Sequence, residues 1–203
     1  MILRSMPLGP LQANCFIVGC EETRQAAAID PGGDAHRILA SLEKDNLKLS
    51  LILNTHGHFD HTHGNVHYAR LFGVRIAAHA AEAPLYADDP DGQCGKPDVL
   101  LEEQLLAVGT ITVQVYHTPR HTPGSACFLI GPFLVSGDSL FADGIGRLSA
   151  DEGRSYREKR EGLVQALTRI VRPLPPETQV LPGHGQTCTL APAREMNPAL
   201  RGD

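Results

Sequence analysis

The stretch Thr55-His56-Gly57-His58-Phe59-Asp60-His61-Thr62-His63-Gly64 limits the possible folds more than any other part of the chain. Four histidines and one aspartate occupy eight consecutive positions, directly after the run Leu51-Ile52-Leu53-Asn54. Five of the ten histidines in the protein lie between positions 56 and 67. A strand that runs into a loop of imidazoles and carboxylates is the usual construction of a metal site, because loops can aim several ligands at one point from a rigid base. Whatever fold forms must bring this strand end to a place where further ligands converge.

Charge and cysteine content exclude several alternatives. Lys and Arg number 18 against 23 Asp and Glu, a net charge of −5 with no basic run, so nucleic-acid binding has no electrostatic support. Residues 1–7 show no charged leader followed by a long apolar segment. No membrane span or signal peptide is expected, and a cytoplasmic location is. The cysteines at 15, 20, 94, 127 and 188 form no CxxC pair and suit reduced thiols. Cys15, Cys127 and Cys188 read as core residues, and Cys94 as an exposed one. With 203 residues, 42% of them hydrophobic, a single domain over 1–203 can bury a large core.

Periodicity and turn signals predict strands over 2–8, 13–18 and 25–29, then a turn at Asp30-Pro31-Gly32-Gly33. Asp34 is expected to cap a helix reaching about Asn46. A buried strand at 51–54 leads into the histidine loop. A helix over 64–72, a strand over 74–78 and a short helix over 80–86 follow. Residues 88–98 are polar and rich in Pro and Gly; they read as a surface loop, the alternative being one that overhangs the site. Further strands are expected at 110–116, 126–130, 133–135 and 178–181, with helices over 154–171 and 191–196. Two sheets covered outside by helices would bury all these apolar runs.

The second half repeats the feature that marks the first. Val113–Tyr116 runs toward His121, Phe133–Val135 toward Asp138, and Gln179–Leu181 toward His184, each ligand type standing beside Gly or Pro. The candidate ligands are therefore His56, His58, Asp60, His61, His121, Asp138 and His184. Seven N/O ligands without a thiolate exceed one tetrahedral zinc and suit two adjacent divalent ions. His56, His58 and His121 would hold one ion, Asp60, His61 and His184 the other, with Asp138 between them. The imidazole and carboxylate mix fits zinc, iron or manganese alike, with zinc the first expectation.

Thr55-His56-Gly57-His58-Phe59-Asp60-His61, followed in order by His121, Asp138 and His184, resembles the signature of the metallo-β-lactamase superfamily. Asn14-Cys15, Asp30-Pro31-Gly32-Gly33, Gly137-Asp138-Ser139-Leu140-Phe141, Gly146-Arg147, Leu181-Pro182-Gly183-His184-Gly185 and Asn197-Pro198-Ala199-Leu200 resemble its short glyoxalase II-like hydrolases. The resemblance implies an α/β fold, an αββα sandwich of two mixed sheets flanked by helices, with a dinuclear site at one edge. It implies hydrolysis of a small-molecule thioester such as S-lactoylglutathione by a metal-bridging hydroxide, with Asp60 and Asp138 at the reacting centre. Persulfide dioxygenases share the fold and motifs but use one iron on the equivalents of His56, His121 and Asp138. Lactone or ester hydrolysis on the same centre is a further alternative.

The chain departs from the long glyoxalase II enzymes at three places. No C-terminal helical glutathione-binding domain like theirs is expected. Arg147 and Ser149 stand where those enzymes carry a substrate-binding Lys and Tyr, and Arg120 stands where Gly is frequent. Arg147 is expected to hold a substrate carboxylate or amide oxygen, a structural ion pair being the alternative reading. Asp30 is expected either to accept a hydrogen bond from the His56 loop or to serve the turn. Thr55 reads as a loop-shaping residue, and His63 and His67 as surface residues or supports. Of His36, His79 and His117, His79 is the most favoured to approach the pocket.

Overall fold

The expected strands pair into two six-stranded sheets in a computed structural model that describes residues 1–100, 104–149 and 153–201. The first sheet runs β1 (Ile2–Leu8), β2 (Ala13–Gly19), β3 (Gln25–Ile29), β4 (Lys48–Leu53), β5 (Arg75–His79) and β6 (Asp98–Leu100) in spatial order. Its β1–β3 portion is antiparallel, and β3 to β6 pair in parallel. In the second sheet the strands are β7 (Leu105–Val108), β8 (Ile111–His117), β9 (Ala126–Ile130), β10 (Phe133–Gly137), β11 (Gln179–Pro182) and β12 (Cys188–Thr189). Only β10 and β11 pair in parallel there. Both sheets are mixed.

Parallel neighbours need crossovers, and the crossovers place the helices on the outer faces. α1 (Ala35–Lys44) connects β3 to β4; α2 (Phe59–Thr62) and α3 (Asn65–Phe72) connect β4 to β5. A 3-10 turn (Ala80–Glu82) and α4 (Ala83–Ala87) follow β5. α5 (Tyr156–Val171) crosses from β10 to β11, and α6 (Leu190–Met196) and α7 (Pro198–Arg201) close the described chain. Among the described residues no helix is long and apolar enough to cross a membrane.

Strand alternation builds the layers. Phe16 and Val18 of β2 meet Val115, Phe128 and Val135 between the sheets, while Cys15 and Ile17 face Ile38, Leu42 and Tyr68 on the helical side. On the other outer face Leu163, Leu167 and Ile170 of α5 pack on Cys127, Leu134 and Val180. With both faces covered, the strands read as continuous apolar runs. Each fully buried Leu, Ile or Phe contributes about 2 kcal/mol.

The structure corrects several local expectations. Asp34 does not cap α1 with its side chain; it sits at φ 47° and its carboxylate accepts the Gly9 N–H at 3.0 Å instead. Ser155, not Arg154, starts α5, by reciprocal hydrogen bonds with Glu158. The short strands β6, β7 and β12 and the one-turn α7 were too brief or too polar to read. Cys188 is only half-buried. Cys94 is buried rather than exposed, because the polar loop folds back on α2 and α3. The Cys94 N–H donates to Asp89 (2.6 Å), its carbonyl accepts from Asn65 (2.9 Å), and Gln93 O accepts from Val66 N.

Candidate metal centre

The chain ends of β4, β8, β10 and β11 open on one edge of the sandwich, and the seven candidate ligands meet there. Asp30, which ends β3, organises the first of these loops. Nearly fully buried and at φ 53°, it accepts from Thr55 N (2.7 Å), from Thr55 Oγ1 (2.6 Å) and from His61 Nδ1 (3.0 Å). The Thr55 hydroxyl, donating to Asp30, can accept from His56 Nδ1 at 3.0 Å. His121 Nδ1 donates to the Arg147 carbonyl at 2.7 Å. Three imidazoles thus have their Nδ1 protons engaged, which leaves each Nε2 lone pair bare and aimed inward.

These nitrogens converge with those of His58 and His184. His58 Nδ1 lies 3.0 Å from both His56 Nε2 and His121 Nε2. On the other side His61 Nε2 stands 3.3 Å from His184 Nε2, and Asp60 Oδ2 is 3.1 Å from His184 Nε2. Asp138 lies between the two groups. Its Oδ2 is 3.5 Å from His121 Nε2 and 3.8 Å from His184 Nε2, and its Oδ1 is 3.8 Å from His61 Nε2. The atoms of His56, His58 and His121 fall within 4.8 Å of one another, as do those of Asp60, His61 and His184.

Nitrogen and carboxylate donors packed this closely can be reconciled by shared protons or by a cation lying among them. The protonation balance agrees with a cation site. Burial, then the neighbouring imidazoles, hold His56 well below the ordinary histidine range, and His58 is lowered for the same reasons. Burial pushes Asp60 up, but its hydrogen bond with His184 and the nearby His61 outweigh it, leaving the carboxyl at about 2. His61 is lowered by burial yet raised overall by Asp30, Asp138 and Asp60, and the hydrogen bond to Asp60 raises His184. Asp138 Oδ1 is buried with no hydrogen-bond partner among the described residues. A pocket of three converging histidines beside an unpartnered carboxylate oxygen fits a divalent cation better than it fits solvent.

The remaining residues singled out from sequence distribute around this centre. Arg147 is exposed on the rim of a groove of about 320 Å³ that also touches His58, Leu85, His121, Thr122 and Ser149. A second groove of about 200 Å³ joins it at His58 and Leu85 and is bordered by Asp88, Asp91 and Cys94, so the 88–98 stretch borders the site. His63 lies against Phe59 with ring centres 4.3 Å apart and planes tilted by 43°, and His67 and His36 are exposed. His79 does not join the cluster: it stacks on His117 at 3.8 Å and faces an apolar cavity of about 440 Å³ behind α4. Arg120 takes φ 131°, a conformation that favours glycine, immediately before His121.

Three supports escape a reading of the sequence. The Asn14 side chain donates to the carbonyls of Pro182 (2.9 Å) and Gly185 (3.0 Å), bracketing His184. Asn197 donates to Phe141 O and Gly144 O and so fixes the loop after Asp138. Both lie in stretches quoted for the family resemblance, but their partners are invisible locally. Glu82 has no local signal at all. Buried below the grooves, it accepts from the backbone of both histidine loops.

The model of the metallo-beta-lactamase superfamily matches residues 8–184. The chain is 31% identical to the hydroxyacylglutathione hydrolase GloC of Haemophilus influenzae, over 98% of each chain. Among solved structures, TTHA1623 in a di-iron-bound form superposes with a TM-score of 0.78 at 32% identity, over 96% of this chain and 98% of that one. ETHE1 from Myxococcus xanthus superposes with a TM-score of 0.82 at 27% identity, over 100% of this chain and 86% of the other.

Proposed function

Because the chain belongs to the metallo-beta-lactamase superfamily, we propose that it is a dinuclear metal-dependent hydrolase of the glyoxalase II type, acting on small-molecule thioesters such as S-lactoylglutathione. The observation that carries this reading is the pair of ligand groups meeting across Asp138. The similarity to GloC along the whole chain supports the thioester class. In this reading His56, His58 and His121 hold one ion, Asp60, His61 and His184 the other, and Asp138 is shared. Two divalent ions, zinc or alternatively iron or manganese, would supply an activated water and a Lewis acid for the carbonyl.

The protein's own residues then have distinct tasks. Asp30 and Thr55 hold His56 and His61 in the tautomer that keeps Nε2 unprotonated. The grooves on either side of His58 receive the acyl and thiol arms of the substrate, and Leu85 between them excludes water. Arg147 at the rim pairs with a substrate carboxylate, its planar guanidinium offering two parallel donors. Asp138, standing between the two groups, fixes how close together they can hold their ions. Thiolate is a good leaving group, so none of the groove residues is required as an acid.

A mononuclear-iron persulfide dioxygenase is the second reading. It is favoured by the proximity of His121 Nε2 to Asp138 Oδ2, since with His56 these residues form a two-histidine, one-carboxylate set. Lactone or ester hydrolysis is a third. Elemental analysis of the purified protein beside assays of S-lactoylglutathione, a lactone panel and glutathione persulfide separates them. Two ions per chain with thioester turnover are expected. One iron with oxygen uptake on persulfide would replace the first reading with the second, and two ions without thioester turnover would end the thioesterase assignment.

A further inference from the structure

We infer that Glu82 is the positioning residue for the three-histidine group, setting the distance between the His56/His58 loop and the His121 loop; the inference rests on the two-metal reading above. Glu82 ends the 3-10 turn that follows β5 and is 0% exposed. Its Oε2 accepts from Gly57 N, the amide between His56 and His58. Its Oε1 accepts from Gly124 N, three residues after His121. One carboxylate therefore grips a loop from each sheet, one oxygen to each.

The contact also explains two glycines. A Cβ on Gly57 would stand 2.9 Å from Glu82 Oε2 and 2.9 Å from Leu85 Cβ. On Gly124 it would stand 2.8 Å from Glu82 Cγ and 2.7 Å from Glu82 N. Both loops can close on the carboxylate only because neither position carries a side chain. A buried carboxylate in this setting is costly unless its hydrogen bonds are met, so its presence needs a return elsewhere in the molecule. That return is geometric. The 3.0 Å separation of His58 Nδ1 from His121 Nε2 spans two sheets, and Glu82 ties the loops on either side of it.

Among the described residues Glu82 makes no hydrogen bond to Asp60, His61 or His184. His61 is held by Asp30, and the turn around His184 is held by Asn14. Loss of Glu82 should therefore weaken one ion and spare the other. A general stabilising role predicts no such selectivity.

The test measures zinc affinity by chelator competition in the full-length protein, with the melting temperature of each apo form recorded alongside. Wild type is expected to bind two ions. Glu82→Ala is expected to keep one ion near wild-type affinity and to weaken the other by about 10–100-fold, the range for residues that orient metal ligands. Combining it with His58→Ala should add no further loss, whereas combining it with His184→Ala should remove both tight sites. Glu82→Gln keeps one acceptor oxygen and turns a donor toward the second amide, so it should fall between wild type and Glu82→Ala. Unchanged affinities for both ions, or equal weakening of both, would overturn the inference. If Glu82→Ala does not fold, the isosteric Glu82→Gln decides alone by the same criterion. Fewer than two ions in wild type would overturn the two-metal reading itself, which is seen before any substitution is made.

Discussion

The loop from His56 to His61 brings four candidate ligands to the site on six consecutive residues, whereas His121, Asp138 and His184 arrive singly after β8, β10 and β11. The first contribution depends on one turn held by two buried carboxylates, Asp30 at Thr55 and His61 and Glu82 at Gly57. The second depends on distant clamps: Asn14 from the opposite sheet on the His184 turn, Asn197 on the loop after Asp138, and the Arg147 carbonyl on His121. A contiguous ligand loop can be ordered by few contacts because its ligands move together. Separated ligands each need a support of their own, and those supports come from residues distant in sequence.

The sharpest way to break this comparison is to remove one ligand from each contribution. His58→Ala is expected to lose one metal equivalent and abolish hydrolysis, as is His184→Ala, each losing a different ion. Elemental analysis with chelator competition checks this. Full activity and two ions in either variant would remove that residue from the site.

Next in size is Asp30→Ala, which strands the buried Thr55 and His61 donors. It is expected to cost about 3 kcal/mol in denaturant unfolding and to disturb ligands of both groups, because His56 and His61 share this support. Asn14→Ala leaves the Pro182 and Gly185 carbonyls without their side-chain donor. A cost of about 2 kcal/mol is expected, with weakening confined to the ion that His184 holds. An equal effect of Asn14→Ala on both ions would erase the distinction between the two kinds of support.

The smallest effect concerns Arg120, strained at φ 131° beside His121. Its backbone bonds to Thr122 and Ser149 do not need the side chain. Arg120→Gly is expected to stabilise the fold by up to about 1 kcal/mol in thermal unfolding. A loss of stability instead would show that the packing of the Arg120 side chain against Gly162 of α5 outweighs the strain.

Much of this arrangement is legible without coordinates. The histidine loop declares itself because metal ligands on one turn must be close in sequence, and the long strands do so through sustained apolar runs. His121, Asp138 and His184 are readable as polar residues at the ends of such runs. Cys94 misleads because its burial comes from a loop folding onto α2, and loop composition carries no record of that contact. His79 misleads likewise: it ends a strand beside the site, but its ring turns to stack on His117. Glu82 is a lone acidic residue among alanines, and nothing in its neighbours distinguishes it from a surface glutamate.

Residue types and local spacing by themselves determined the list of candidate ligands, the alternation that makes a two-faced sheet, and the expectation of two ions rather than one. Only the tertiary structure decided which nitrogen of each imidazole faces inward, that Asp138 lies between the two groups, and that Glu82, Asn14 and Asn197 support them. The physical reason is the range of the interactions. Periodicity and ligand spacing express contacts within a few residues, which the backbone imposes. The bond from Asn14 to Gly185 and the grip of Glu82 on Gly57 and Gly124 exist because buried polar groups must find partners once two sheets have packed.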